Sequence, residues 1–300
     1  MSQTKTIKFK IVDILFLLGM ILPIVGLIII KVLINPASEG VTLTGPNVLL
    51  IIQLPFQPLY LNESIINSFA VIISILFLCL FLTHGLSEKP QTKRQLLLEW
   101  IYEKVKGLVK DNMGEAFAIF GPFVAAILAL SALSSLLSLF GLFPPTSDLN
   151  MTAGWAILVF ILITYYKMKC GPLYYLKGFC QPVAFLAPIN FVSEFATPVS
   201  MAFRHYGNIL SGVVVSLLIG TGLGELSNLV FGQIPGFFGD IPFLRIGLPG
   251  IFSIYFDVFS GCLQAFIFAM LTMMYVSGAF DSDEFSRRRM IKLQKQKKNK

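Results

Sequence analysis

Charged side chains are scarce in this sequence. Asp, Glu, Lys and Arg make up 13% of its 300 residues, whereas soluble domains carry about 25%. Hydrophobic residues account for 55% of the chain, and the mean hydropathy is +0.78. This composition excludes an ordinary soluble domain and indicates an integral membrane protein.

Cysteine and histidine are also few. The four cysteines lie apart among apolar neighbours without a CxxC spacing, and the two histidines, His84 and His205, are distant in sequence. This pattern predicts inert thiols, no metal site and no cofactor. It also argues against a membrane-embedded enzyme, which would need a nucleophile with a base or a metal cluster.

Lys and Arg are absent from residues 36–64 and 144–152, and 234–247 contains only Arg245. The basic residues gather instead in the other connections and at both ends, so the positive-inside rule predicts that both termini are cytoplasmic. The hydrophobic stretches are long enough to cross a core of about 30 Å. These six predicted spans, which indicate an all-α fold, lie near 11–34, 65–86, 115–143, 153–169, 200–233 and 248–279.

The net charge of +7 raises the question of a nucleic-acid partner. Eight of the 23 basic residues fall in the last stretch, RRRMIKLQKQKKNK. Such a tail is typical of a cytoplasmic anchor against anionic membrane lipids, so no nucleic acid is implied. We therefore divide the chain into one membrane domain, 1–280, with an extra N-terminal span within 1–40, and a basic cytoplasmic tail, 281–300.

Two segments allow alternative interpretations. The first span follows a basic region and resembles a signal peptide, but its apolar core is longer than usual, which favours a retained helix. Between spans two and three, charges lie opposite an apolar face in KRQLLLEWIYEKVKGLVKDNMG. This pattern predicts a cytoplasmic interfacial helix, or a surface helix packed on the bundle. The predicted apolar face consists of Leu97, Leu98, Ile101, Val105 and Leu108.

Span four is followed by CGPLYYLKGFCQPVAFLAPIN, whose three prolines and two glycines predict irregular backbone. The next segment begins near Pro188, passes Glu194 and Arg204, and reaches Glu225 before breaking at QIPGFFGD. It is too long and polar for one upright span. We expect a steeply tilted helix lined on one side by water and protein.

Arg204 is the one full charge between Pro198 and Gly220. A guanidinium at membrane depth costs about 2.5–3.5 kcal/mol on insertion scales and cannot shed its proton. Asn208, Ser211 and Gly212 share its helical face, and small residues there permit close helix approach. The charge either serves ion or substrate passage or pairs structurally with a carboxylate.

The last span places Asp257 and Gln264 seven residues apart, on one face of a regular α-helix. They are candidates for an ion relay, or for helix–helix hydrogen bonds. In the turn PTSDLN, Asp148 and Asn150 are candidate caps of the next helix, and Asp148 can also attract cations into an outer vestibule. Glu194 is a candidate for the same role at an inner opening.

Three segments together resemble the subunit a family of F-type ATP synthases. They are PTSDLNMT, SEFATPVSMAFRHYGNILSG and FDVFSGCLQAFIFAMLTMMYV. The similarity covers about 65–280 and includes the interfacial helix. The combination of R-x-x-GN-x-x-x-G with a later QAFIF-x-x-L-T-x-x-Y is specific, although each half alone is weak.

The resemblance implies a non-catalytic stator subunit in the bacterial plasma membrane. Two half-channels would pass H⁺ or Na⁺ to and from the carboxylates of a c-subunit ring, with the b subunits of the peripheral stalk as further partners. It also implies that the last two helices are long and strongly tilted around the ring. By position, Arg204 matches the essential arginine of the family, and Gln264 matches the glutamine on the opposite helix. Asp257 falls at the position of the outer half-channel residue, and Asp148 with Asn150 at the outer entry. Glu194 matches an acidic position near the inner opening.

The sequence departs from the family pattern at two places near Arg204. Many members have a glutamate where this chain has Val213, which shifts the outer pathway onto Asp257, with Glu225 as a substitute. His205 replaces a usual apolar residue; it either titrates near Arg204 or packs in an interface. The alternative function is a six-span secondary transporter that binds an anionic substrate at Arg204, but the two halves show no evident repeat.

Overall fold

The computed structural model describes residues 2–34, 45–53, 55, 57–86, 93–180, 183–231, 251, 254–281, 285–287 and 290. Six of its helical segments are long and apolar enough to cross a membrane. This confirms the prediction of an all-α membrane protein with six spans. The segments are Ile11–Leu33, Glu63–Thr83, Glu115–Phe140, Leu149–Cys170, Ala187–Val230 and Ile254–Gly278.

The first helix, α1 (Ser2–Ile34), packs along α2 (Glu63–Thr83). A Cβ at Gly19 would lie 2.6 Å from the Phe77 ring, so the two helices touch closely there. Ser74 of α2 donates a hydrogen bond to the Met20 carbonyl at 2.8 Å. Close packing through a small residue is common between membrane helices.

A short hairpin precedes α2. Strands β1 (Val48–Ile52) and β2 (Leu59–Asn62) pair antiparallel, with Ile52 opposite Leu59. Asn62 then caps α2 by accepting a hydrogen bond from the Ile65 N–H at 3.1 Å. The sequence analysis missed this hairpin because the apolar run in β1 lacks the alternation typical of a half-buried strand.

The predicted helix after span two is present as α3 (Lys93–Met113). Its C-terminal half packs on the bundle through Val109 and Met113, but Leu97 and Ile101 are 50% and 38% exposed. Outward-facing apolar side chains in the N-terminal half agree with the predicted interfacial helix, whose apolar face lies against lipid. Both alternatives apply, since one half packs on the bundle and the other presents apolar side chains outward.

The main core joins α3 with α4 (Gly121–Leu136), α5 (Leu149–Cys170), α7 (Ala187–Phe231) and α8 (Gly261–Gly278). The helices α4 and α8 approach closely at Gly261, where a Cβ would lie 2.8 Å from the Ser135 Cβ. Gly212 of α7 likewise faces Phe256, at 3.2 Å from a built Cβ. Buried core side chains include Val124, Val159, Met201, Phe268 and Met273.

The chain turns sharply after α5. Gly171 has φ +128°, a conformation that side chains other than glycine rarely adopt. A short helix, α6 (Pro172–Phe179), follows at once. The expectation of irregular backbone is therefore wrong for 172–179, because Pro172 stands at the first helical position, where its missing N–H costs nothing.

The helix α7 contains 45 residues. At 1.5 Å per residue it extends about 68 Å, more than twice a bilayer core of about 30 Å. Pro198 lies inside it and removes one backbone hydrogen bond. The predicted break at QIPGFFGD lies outside the described residues.

Candidate ion-translocation site

Arg204 lies on an exposed face of α7. Four salt bridges occur among the described residues, and none includes Arg204. Since a guanidinium remains charged at any accessible pH, its counter-charge does not come from a carboxylate in that part of the chain. The alternative of a permanent structural ion pair therefore finds no support here.

Asn208 lies one turn beyond Arg204 and joins α7 to the segment before α8. Its amide donates to the Ser260 carbonyl at 3.5 Å, and its oxygen accepts from the Ser260 hydroxyl at 3.2 Å. This pairing holds α7 beside residues 254–260. Ser211, on the face predicted from the sequence, is exposed, whereas Gly212 is buried.

Residues Ile254–Ser260 form a π-helical turn directly before α8. Asp257 lies in this turn, and its side chain is outside the described part of the structure. Gln264 lies in α8 and is 3% exposed. The prediction that the two share a face assumed a regular α-helix, and that assumption is wrong because a π turn closes its bonds one residue further along the chain.

His205 points into the bundle behind Arg204 and is fully buried. Its Nε2 lies 3.2 Å from the Ser131 hydroxyl, and its ring packs edge-on against Trp155 and Phe268. Its Nδ1 has no hydrogen-bond partner among the described residues. His205 therefore occupies a packed interface, which is one of the two alternatives that the sequence allows; the other is a titrating group near Arg204.

A line of buried hydroxyl groups leads from His205 towards the turn before α5. Ser135 donates to the Ser131 carbonyl at 3.0 Å, and its hydroxyl lies 3.2 Å from that of Thr146. Thr146 is fully buried and stands two residues before Asp148. The polar side chains thus extend through the bundle from the Asp148 turn to the helix that carries Arg204.

Asp148 connects the first turns of two helices. Its Oδ1 accepts from the Asn150 N–H at 2.9 Å, which caps α5, and its Oδ2 accepts from the Asn62 amide at 3.1 Å. Asn62 is the cap of α2. Asn150 is exposed and supplies only the N–H of the cap, so the expectation that Asn150 itself caps the helix is wrong.

Glu194 lies at the other end of the bundle, where it pairs with Lys167 of α5. Both carboxylate oxygens are 2.6 Å from the Lys167 Nζ. The Tyr175 hydroxyl donates to the same carboxylate at 3.4 Å. Burial, and after it the negative charge of Glu194, raise the pKa of the Tyr175 phenol above its usual value, so this hydroxyl keeps its proton.

Glu225 is exposed in the last part of α7. Among the described residues, no salt bridge links it to Arg204. No group of three or more metal-ligating side chains occurs within the described ranges.

Comparison with known sequences identifies the family of this chain. The sequence profile of the ATP synthase A chain family matches residues 65–277. The chain belongs to the ATP synthase A chain family. The matched range extends from the first turn of α2 to the last turn of α8. It therefore includes Arg204, Asn208 and Gln264 together with Asp148 and Glu194.

Individual members of the ATP synthase A chain family show the same similarity. An ATP synthase subunit a of Priestia megaterium is 33% identical over 225 residues, covering 71% of this chain and 88% of that protein. The subunit a of Lysinibacillus sphaericus is 33% identical over 234 residues, covering 74% and 93%. That of Listeria monocytogenes is 32% identical over 217 residues, covering 68% and 86%.

Sequence reasoning missed several residues of the site in this A chain family member. Lys167, at the end of the predicted span four, was not identified as a site residue, although its ammonium pairs with Glu194. Asn62 was overlooked because its partner, Asp148, is 86 residues away. The serines of α4 at positions 131, 134 and 135 form a polar stripe in an apolar helix, and this signal was available in the sequence.

Proposed function

We propose that the chain is the ion-translocating stator subunit of an F-type ATP synthase. It conducts H⁺ or Na⁺ through two half-channels to and from the carboxylates of a c-subunit ring, and thereby couples ion flow to rotation and ATP synthesis. It is a non-catalytic subunit of the complex, and the b subunits of the peripheral stalk are further partners. Family membership supports this assignment.

The observation that carries the proposal is Arg204, which is exposed and has no ion-pair partner among the residues that the structure describes. A fixed positive charge at membrane depth is costly, and within the described residues no carboxylate neutralises it. A carboxylate on a passing c subunit supplies the missing counter-charge. Because the guanidinium cannot be deprotonated, it keeps that carboxylate ionised where the ring passes this chain. It also blocks direct leakage of ions between the half-channels.

The outer half-channel is supported by the buried polar groups between Asp148 and His205. We assign its entry to Asp148 and Asn150 and its inner end to Asn208 and Gln264. Asp257 and Glu225 serve the same pathway from the side of α7 and the π turn. A buried polar group without a partner requires water or another polar atom. The Ser134 hydroxyl in α4, which has no hydrogen-bond partner in the described part of the chain, fits such a wet path.

The inner half-channel is supported by two cavities beside Glu194. They have volumes of about 260 and 430 Å³, and each is large enough for several waters. The concentration of Lys and Arg in the connections on this side assigns it to the cytoplasm. We therefore assign both termini to the cytoplasmic side of a bacterial plasma membrane.

The length of α7 supports a strong tilt, because an upright helix of about 68 Å would extend far beyond the bilayer. In the proposed arrangement α7 and α8 lie along the ring, with Arg204 facing it. The basic tail at 281–300 interacts with anionic lipids. The membrane domain at 1–280 combines the added helix α1 with the core shared with the family.

Replacement of Arg204 by Ala in the assembled ATP synthase tests the proposal. We expect the complex to assemble while ATP synthesis driven by an ion gradient disappears, since each charge that leaks forfeits about 2.3 kcal/mol per 100 mV. Lys106→Ala, which removes an exposed cation of α3, is the matched control and should leave synthesis unchanged. Normal synthesis by the Arg204→Ala complex would refute the assignment.

A further inference from the structure

The two cavities meet at the cytoplasmic ends of α5, α7 and α8. Both are lined by Lys167, Glu194, Gly278 and Ala279. The smaller cavity continues between the helices towards Thr197, whereas the larger one continues towards α6 and Asp281. The Lys167–Glu194 pair therefore lies at the junction of the two cavities.

The pair is held tightly at this junction. The side chains of Lys167 and Glu194 are 29% and 13% exposed, and the ammonium contacts both carboxylate oxygens at 2.6 Å. The Lys167 Nζ also lies 5.6 Å from the centre of the Tyr175 ring. Both carboxylate oxygens are therefore engaged by one charged donor at the junction.

The neighbouring charged and titratable groups are engaged elsewhere. Asp281 accepts a hydrogen bond from the Tyr174 hydroxyl at 2.8 Å. Lys169 lies over the rings of Tyr165 and Phe285, at 6.0 and 5.6 Å. Tyr275 of α8 lines the smaller cavity. Among the described lining residues, Lys167 is therefore the cation that faces Glu194.

We propose that Lys167 is a positioning residue for Glu194, and that this pair controls proton passage between the two cavities of the inner opening. The inference rests on the proposed function, with H⁺ as the ion. A proton from water in the larger cavity binds a Glu194 oxygen in place of one hydrogen bond from Lys167. The same carboxyl group then releases a proton to water in the smaller cavity and returns to the carboxylate, so that charge and atoms balance.

The physical reason lies in what an unpaired carboxylate would do at this place. A partly buried carboxylate that loses its only cationic partner is strongly destabilised. Without Lys167 it would turn towards the cytoplasmic water, and the exchanging oxygen would leave the junction. Lys167 thus holds Glu194 in place without touching the ring carboxylate itself.

Passive proton flux through the assembled Fo sector tests the inference, measured in vesicles from which the catalytic sector has been removed. We expect Lys167→Gln to lower the flux by roughly a hundredfold, the lower range for removing a positioned proton-transfer group. Lys167→Arg keeps the charge and should retain most of the flux. Lys169→Gln removes a cation two residues away, which faces other rings, and should have no effect.

The double variant Lys167→Gln/Glu194→Gln separates positioning from mere structural support. A neutral amide pair restores packing without the exchanging carboxylate, so we expect normal assembly with flux as low as in Lys167→Gln. Wild-type flux in the neutral pair, or in Lys167→Gln alone, would overturn the inference. None of these results bears on Arg204→Ala, so the proposed function and this inference can fail separately.

Discussion

Gly261 offers a quantitative test of how α8 and α4 are packed. A Cβ at this position would lie 2.8 Å from the Ser135 Cβ, whereas carbon atoms normally approach to about 3.5–4.0 Å. The Ser135 Cβ is fixed to its own backbone, so the overlap of roughly 1 Å can be relieved only if the helices move apart. Overpacking of this kind costs about 1–3 kcal/mol.

The control is Gly154→Ala in α5, where no described heavy atom lies within 4 Å of the built Cβ. Both substitutions gain the same helix propensity, so the difference between their free energies of unfolding isolates the overlap. We expect Gly261→Ala to be less stable than Gly154→Ala by about 1–3 kcal/mol, measured by unfolding in mixed detergent micelles.

A second background tests the contact itself. Ser135→Gly removes the Cβ that Gly261→Ala would meet, so in this background the penalty of Gly261→Ala should disappear, as a double-mutant cycle would show. Equal effects of Gly261→Ala in both backgrounds, or a stability equal to that of Gly154→Ala, would refute the close approach of α4 and α8.

Two further predictions concern the outer pathway. Asp148→Ala should lower the free energy of unfolding by about 1–2 kcal/mol, because α5 loses its cap and Asn62 loses its hydrogen-bond acceptor. Asp148→Asn keeps a capping oxygen. An equal loss of stability in both variants would therefore contradict the capping role. Asp257→Asn should slow ion flow less completely than Arg204→Ala in a proton-pumping assay, and undiminished flow would remove Asp257 from the pathway.

Hydropathy and charge distribution were sufficient to predict the six spans, because each depends on local composition. The helix after span two followed from its charge pattern. Periodicity did not show which half of its apolar face would pack on the bundle and which half, with Leu97 and Ile101, would face outward. The expected irregular segment after α5 contains α6, since Pro172 begins a helix as readily as it ends one.

The site residues depend on tertiary contacts more than the helices do. Arg204 could be recognised because a charge in an apolar run is an energetic anomaly. The pairing of Glu194 with Lys167, 27 residues away in sequence, depends on tertiary packing that periodicity does not contain. The π turn at Ile254–Ser260 was likewise beyond prediction, because local sequence spacing does not distinguish it from a regular α-helix.

Pro198 gives α7 a mechanical property that follows from its position. Proline has no N–H to donate to the carbonyl of Glu194, four residues earlier, so the helix bends most easily there. On one side of this point the Lys167 contact anchors α7 to α5; on the other, the Asn208–Ser260 bonds anchor it to the π turn. We expect a force exerted on Arg204 by a moving ring to be taken up as flexure at Pro198, leaving the inner opening undisturbed.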